Sequence, residues 1–406
     1  MKLLIAIPAL NEEAAIESII RRSLAARAYI TAKSSVTEVD ITVVSDGSTD
    51  RTVERASAFP EINLIVFEKN RGYGAAIKEA WRRSDADLLS FLDADGTCDP
   101  NFFTDLCNTL VREDADVVLG CRLNSQSQMP LIRRIGNMIF ATILTLFSSK
   151  RVKDTASGMR VVRRDSLPKL MPLPDGLQFT PAMSARALLS GELKITEIQM
   201  PYKERTGESK LRVGKDGLRF LKVILEGAFL YRPARPLAMA GGLCLAAAIA
   251  LMLMPARYYL THHAVTEWMI YRFVVSHLVG ISAALLLCAS YLTDRIVQIA
   301  LSSEASDEEE GAARRFFISG WFWLVPSALT AIGVALVIPS FLELVRTGAT
   351  YEHWSRFIAM SFFCSVALIL VVTRAIDYVL QLVAERLAYL HSATPDRAYE
   401  TVEASW

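Results

Sequence analysis

The chain has 406 residues, with 44 Lys and Arg against 43 Asp and Glu and a formal net charge of +1. That balance excludes recognition of nucleic acid or acidic partners through a general field, so function must reside in local sites. Hydrophobic residues make up 52% of the sequence, and the excess lies after about residue 236, which implies two regions facing different solvents.

The opening MKLLIAIPALNEE breaks its apolar run at Pro8 and continues with Asn11, Glu12 and Glu13. It reads as a buried first strand rather than a signal peptide. Up to about residue 125 the runs LLIAIPA, VDITVVSD, INLIVFEKN, DLLSFLDAD and DVVLGCR alternate with segments of helical spacing such as EEAAIESIIRRSLAARA, GYGAAIKEAWRRS and PNFFTDLCNTLVRE. This alternation predicts an α/β fold, a mostly parallel sheet with helices on both faces, with ligands at the carboxyl ends of the strands. The segment LIRRIGNMIFATILTLF, Leu131 to Phe147, has two readings: a helix along a membrane surface, or a core helix of the domain. KITEIQMPYKER reads as a strand, and DGLRFLKVILEGAFLYRPARP as a basic amphipathic helix leading to a membrane.

Four apolar stretches follow, at about 236–255, 273–293, 317–341 and 357–378, each near the ~20 residues a helix needs to cross a bilayer. Four spans put both termini on one side. Lys215, Arg219, Lys222, Arg232 and Arg235 precede the first span, Arg295, Arg314 and Arg315 lie in the middle loop, Arg374 stands at the end of the last span and Arg386 after it. The positive-inside rule then places the N-terminal domain and both termini in the cytosol. The expected organisation is a catalytic domain over 1–215, a juxtamembrane helix over 216–235, a membrane domain over 236–380 with an acidic linker at 302–315, and a tail over 381–406. Within the spans no buried charge series is expected: His277 reads as a packing contact, and Arg272 and Arg374 as residues that snorkel from span ends. The six cysteines form no CxxC pair and no metal spacing, which suggests reduced thiols facing the cytosol or lipid.

The chemistry concentrates at strand ends. In LSFLDADGTCDP, Asp93 and Asp95 are separated by one residue after an apolar run. Two carboxylates so placed can share a hard cation such as Mg²⁺, which prefers oxygen ligands and bridges to phosphates. Asp99, before Pro100, reads as a helix cap. IPALNEE and VVSDGSTD supply Pro8, Asn11, Glu12, Asp46 and Ser48, groups able to hydrogen-bond a base and ribose. NRGYGAAIKEAW is set aside as a dinucleotide fingerprint because Ile77 stands where a third Gly or Ala belongs. Gly72 and Gly74 instead read as places of close backbone approach.

PALNEE, SDGSTD, NRGYGAAI and DADG, in this order, resemble the family 2 glycosyltransferases with the GT-A fold, along most of residues 1–225. The resemblance implies a nucleotide sugar, UDP- or GDP-linked, bound by Pro8, Leu10, Glu12, Val44, Asp46, Asp93, Ala94 and Asp95. Mg²⁺ or Mn²⁺ would be held by Asp93 and Asp95. GCRL, RRIGN, DTASGMRVVRR and PYKERTGESKLRVGKDGLRFL resemble the polyisoprenyl-phosphate glycosyltransferases, the group of dolichyl-phosphate mannose synthases and bacterial undecaprenyl-phosphate sugar transferases. That implies a polyprenyl phosphate acceptor at the cytosolic membrane face, received by Arg122, Arg133, Asn137, Arg205, Ser209 and Lys210. Arg122 and Arg205 would join the two aspartates as catalytic residues, since Arg can grip a phosphate bidentately. A bacterial inner membrane is the expected location, and a homo-oligomer remains open.

A hydroxyl acceptor would need a general base, yet the helix GLQFTPAMSARALLSG contains no Asp or Glu. A lipid phosphate is already anionic and needs none, so inversion by in-line attack is expected. Departures from the family pattern are Thr97 where a Gln can join the metal, Ser45 at the first position of the usual acidic pair, and a spacing that leaves Lys203 or Arg205 for one role. Two other readings stand beside this one. A processive polysaccharide synthase would carry QxxRW, and none of the six Trp follows an Arg. A scaffold or flippase with a vestigial transferase domain would not need intact DAD, DGS and GESK.

Overall fold

A computed structural model of the protein describes residues 1–124, 127–148, 150–203, 213–301, 312–349 and 353–393. Arg205, Ser209, Lys210 and most of the acidic linker lie outside the described residues. The chain divides into two units, Met1–Tyr231 and Arg232–Trp406.

The first unit is built on a seven-stranded sheet, β1 (Lys2–Ala9), β2 (Glu38–Asp46), β3 (Asn63–Phe67), β4 (Leu88–Leu92), β5 (Val117–Cys121), β6 (Met159–Arg163) and β7 (Ile195–Gln199). Its order is β3-β2-β1-β4-β6-β5-β7. The helices are α1 (Ile16–Lys33), α2 (Thr52–Ser57), α3 (Tyr73–Arg83), α4 (Phe103–Arg112), α5 (Leu131–Phe147), α6 (Leu167–Leu170), α7 (Phe179–Leu189) and α8 (Val213–Tyr231). Strands β1, β4 and β5 are buried on both faces because both are covered, as parallel sheets require. Leu3, Ile5 and Ile7 pack with residues of α1 and α4, whereas Leu4 and Ala6 join a second cluster with α3, α7 and α8. The alternation follows from successive side chains leaving a strand on opposite sides.

All five runs read as strands before residue 125 are strands, and KITEIQ forms β7. β6 was not anticipated. MRVVR looks like a basic motif, yet it lies between β4 and β5, antiparallel to both. Its register pairs Leu92 with Met159, so the residues just beyond, Asp93 and Gly158, come opposite one another at the strand end. Arg160 is carried into the middle of the sheet and is fully buried. The helix expected at 216–235 falls largely within α8, which belongs to the first unit and packs against α7 and α5.

The second unit contains α9 (Ala234–His262), α10 (Ile270–Leu301), α11 (Ala312–Ile318), α12 (Leu324–Thr347) and α13 (Trp354–Ala393). Four helical segments, Ala234–His262, Glu267–Ala300, Gly320–Thr347 and Trp354–Leu390, are long and apolar enough to cross a membrane. One expectation is corrected here. Asp377 is buried and pairs with Arg374 at 3.0 Å and with Arg295 at 3.6 Å, so Arg374 does not simply snorkel and a buried charge cluster is present. Its members come from α10 and α13, whose contact no local pattern announces.

Candidate active site

The strand ends converge on a cavity of about 410 Å³ in the first unit. Pro8, Leu10, Glu12, Asp46, Asp93, Ala94, Asp95, Arg122 and Arg133 line it, nine of the residues expected from sequence. The β1–α1 and β2–α2 connections are laced together behind one part of the wall. The Asn11 backbone N–H donates to Ser48 Oγ at 3.1 Å, the Glu12 N–H to Thr52 Oγ1 at 2.8 Å, and Asn11 Oδ1 accepts from the Thr49 N–H at 2.8 Å. Asn11 itself sits at a positive φ of 50°, which Asn tolerates better than most residues.

Asp46 lines the cavity and has a second task, whereas Val44 does not stand as expected. The Asp46 carboxylate accepts the backbone N–H groups of Arg71 at 2.6 Å and Gly72 at 3.0 Å, so it anchors the turn before α3 as well as lining the cavity. Val44 is fully buried in the core cluster with Ile65 and Phe67 and is not among the lining residues. The glycines of NRGYG make their close approach to the protein's own chain. Gly72 has φ +109°, and a Cβ there or at Gly74 would overlap the backbone of the 174–175 turn. The Gly74 N–H donates to Asp175 O at 2.6 Å, and Lys78 pairs with the Asp175 carboxylate at 2.7 Å.

Asp93 and Asp95 follow β4. Tyr73 Oη donates to Asp93 Oδ1 at 2.7 Å. Asp95, which is buried, accepts at Oδ1 from Thr97 Oγ1 at 2.7 Å and from the Thr97 N–H at 3.2 Å. Thr97 therefore buttresses Asp95. Asp99 caps the turn at Pro100 by accepting the Asn101 N–H at 3.1 Å, as expected. The pair of carboxylates suits a hard divalent cation. Among the described residues no three His, Cys, Asp or Glu gather to hold a metal, so two carboxylates would leave the remaining coordination to water and phosphate oxygens, which Mg²⁺ accepts.

Arg122 is held rigidly. Its Nε and Nη2 donate to the two oxygens of Asp154 at 2.7 and 2.8 Å, Nη2 also reaches Ala156 O at 2.7 Å, and the guanidinium lies over the Tyr202 ring at 5.4 Å. This leaves Nη1 as the edge without a hydrogen-bond partner among the described residues. Asn137 does not line the cavity. Its amide donates to Asp154 Oδ1 at 2.6 Å and accepts from Thr155 at 2.9 Å, so it supports Asp154 rather than meeting a ligand directly. Beneath these groups lies Arg160, whose Nε and Nη2 donate to Ser157 O and Thr155 O while Nη1 is an orphan donor. Burial pushes this guanidinium down to about 10 against the upward pull of Asp154 and Tyr73. Sequence reasoning also missed Tyr73, Tyr202 and Arg219, which all line the cavity. Arg219 was read as a juxtamembrane charge, and its helical position three residues after Asp216, with which it pairs at 3.1 Å, was the available signal.

The family model described as "Glycosyl transferase family 2" matches residues 4–171. The chain is 34% identical over 229 residues to the low-salt glycan biosynthesis hexosyltransferase Agl6 of Haloferax volcanii, an alignment spanning 55% of this chain and 53% of that one. It is 30% identical over 190 residues to a dolichyl-phosphate hexose transferase of Haloferax volcanii, covering 45% of this chain and 79% of the relative. An undecaprenyl-phosphate 4-deoxy-4-formamido-L-arabinose transferase of Photorhabdus laumondii is 28% identical over 215 residues, 52% of this chain and 62% of that one. Among solved structures, glucosyl-3-phosphoglycerate synthase from Mycobacterium tuberculosis superposes with a TM-score of 0.44 at 21% identity, covering 56% of this chain and 80% of that one. The chain belongs to glycosyl transferase family 2.

Proposed function

We propose that the protein is an inverting, metal-dependent transferase that moves a sugar from a UDP- or GDP-linked donor to a polyprenyl phosphate at the cytosolic membrane face. The observation that carries this reading is a single cavity lined by both Asp93 and Asp95 and by Arg122, Arg133 and Arg219. Two carboxylates and three guanidiniums in one space suit two anionic ligands of different kinds, one approached through a cation and one gripped directly. Relatives named for dolichyl-phosphate and undecaprenyl-phosphate transfer support the acceptor class.

Asp93 and Asp95 would hold Mg²⁺ or Mn²⁺, which when bound supplies Lewis-acid neutralisation of the leaving diphosphate. Thr97 keeps Asp95 in place for this, and Pro8, Leu10 and Glu12 shape the end of the cavity suited to the nucleoside. Arg122 offers Nη1 to the acceptor phosphate from a guanidinium whose other edge Asp154 has fixed, so little motion is lost on binding. Arg133 and Arg219 add charge from α5 and α8, and Arg205, Ser209 and Lys210 are proposed as further donors. Among the described residues the lining holds no His, and its acids besides Asp93 and Asp95 are Glu12 and Asp46, the latter bound to backbone N–H groups. An acceptor that is already anionic fits such a site, because no residue need remove its proton.

The test uses the full chain in detergent with undecaprenyl phosphate, Mn²⁺ or Mg²⁺ and a panel of labelled nucleotide sugars, following label into the organic phase. Transfer from one donor is expected, and it should vanish with EDTA or in Asp95→Asn. A folded protein that binds nucleotide but transfers nothing to the lipid from any donor would overturn the proposal.

A further inference from the structure

Asp93 is gripped on both sides by residues with no role in the transfer just described. At one carboxylate oxygen the Tyr73 hydroxyl donates at 2.7 Å. At the other lies Gly158, where a Cβ would overlap Asp93 Oδ2. The antiparallel register of β4 and β6, Leu92 opposite Met159, brings these two residues together. Tyr73 is itself constrained: it opens α3 directly after Gly72, and its ring meets Phe91 and Phe179 edge-on at centroid distances of 6.3 and 6.4 Å. The phenol can therefore deliver its hydroxyl to one place, and that place is Oδ1.

We infer that Tyr73 is a positioning residue that, with the missing side chain of Gly158, fixes the Asp93 carboxylate in the orientation from which it meets the divalent cation. The inference rests on the metal reading of Asp93 and Asp95. The physical basis is general: groups that hydrogen-bond a ligating carboxylate restrict its rotation, and losing one typically weakens metal binding by about 10- to 100-fold. Tyr73→Phe keeps the ring and its aromatic contacts and deletes only the hydroxyl. Gly158→Ala leaves Tyr73 in place and forces the carboxylate to turn.

The experiment measures Mn²⁺ binding to the full chain in detergent by electron paramagnetic resonance, alone and with UDP or GDP, together with the thermal unfolding temperature of each variant. In the wild-type protein Mn²⁺ binding is expected that Asp95→Asn removes. Tyr73→Phe should weaken it about 10-fold with the unfolding temperature unchanged, and Gly158→Ala should weaken it further. Equal Mn²⁺ affinity in wild type and Tyr73→Phe would overturn the inference while leaving the metal reading intact. A lowered unfolding temperature with unchanged affinity would assign Tyr73 a structural role and overturn it equally. Wild-type protein with no Mn²⁺ binding sensitive to Asp95→Asn would overturn the metal reading itself.

Discussion

Asp154 exchanges its water for protein. Fully buried, its carboxylate takes two N–H groups of the Arg122 guanidinium, the Arg122 backbone N–H at 2.9 Å and the Asn137 amide. Burial pushes its carboxyl up, but Arg122 beside it more than compensates and holds it below the ordinary carboxylate range. A carboxyl lowered on folding adds stability that is present above its unfolded pKa and is lost as pH falls through the folded one. Asp154→Asn leaves Arg122 buried without a counter-charge, a change that typically costs about 3–5 kcal/mol. Thermal unfolding in detergent should show a lower transition at neutral pH and a gap that narrows as the pH drops below the carboxylate range. An unchanged transition at neutral pH would remove Asp154 from this role. At this scale the sequence was legible where polar residues follow an apolar run, because such runs end at the ligand-binding edge of the sheet. Val44 shares a face of β2 with Asp46, and Asn137 a side of α5 with Arg133; both were misplaced because periodicity gives the face of an element and not how far along it the cavity ends. Tyr73, Gly158 and Arg160 had no local signature, since their meaning comes from β6 lying beside β4.

β6 shows the same limit one level up. Parallel strands announce themselves as long apolar runs, whereas MRVVR carries two arginines in five residues and is a strand only because neighbours on both sides supply hydrogen bonds. α5 was read in two ways, and the structure gives each a face. Asn137, Ala141, Leu144 and Phe147 are buried, at spacings that share one side of a helix, while Leu131, Ile132, Ile135, Met138 and Ile139 are exposed. Under the proposed function the exposed row meets the lipid in which the acceptor is dissolved. Replacing Ile135 and Ile139 together by Gln should change unfolding free energy by no more than about 0.5 kcal/mol per site, as for other surface substitutions. Transfer to undecaprenyl phosphate in vesicles should fall, while transfer to a short, water-soluble prenyl phosphate should not. Equal losses on both acceptors would dissociate α5 from the lipid.

Taken as a whole molecule, the partition into a mostly parallel α/β unit and a helical membrane unit was the most legible feature, because composition and hydropathy alone separate two solvents. What composition hides is how the membrane helices are tied. Asp377 on α13 meets Arg295 on α10, and Tyr291, close to Arg295 on the same helix, stacks on Phe317 of α11 at 4.5 Å. Asp377→Ala strands a buried arginine and should lower the unfolding transition of the full chain, at a cost of about 3–5 kcal/mol. A transition equal to wild type would show the pair to be dispensable. In the first unit a comparable pair has a different reach. Arg122 directly follows β5, and Asp154 lies five residues before β6, so their ion pair closes the base of a long excursion that carries all of α5. The excursion is thus a cassette with a clasp. Under the proposed function, the apolar face of its interior can be rebuilt in the laboratory for another lipid while both ends stay buckled to the same guanidinium.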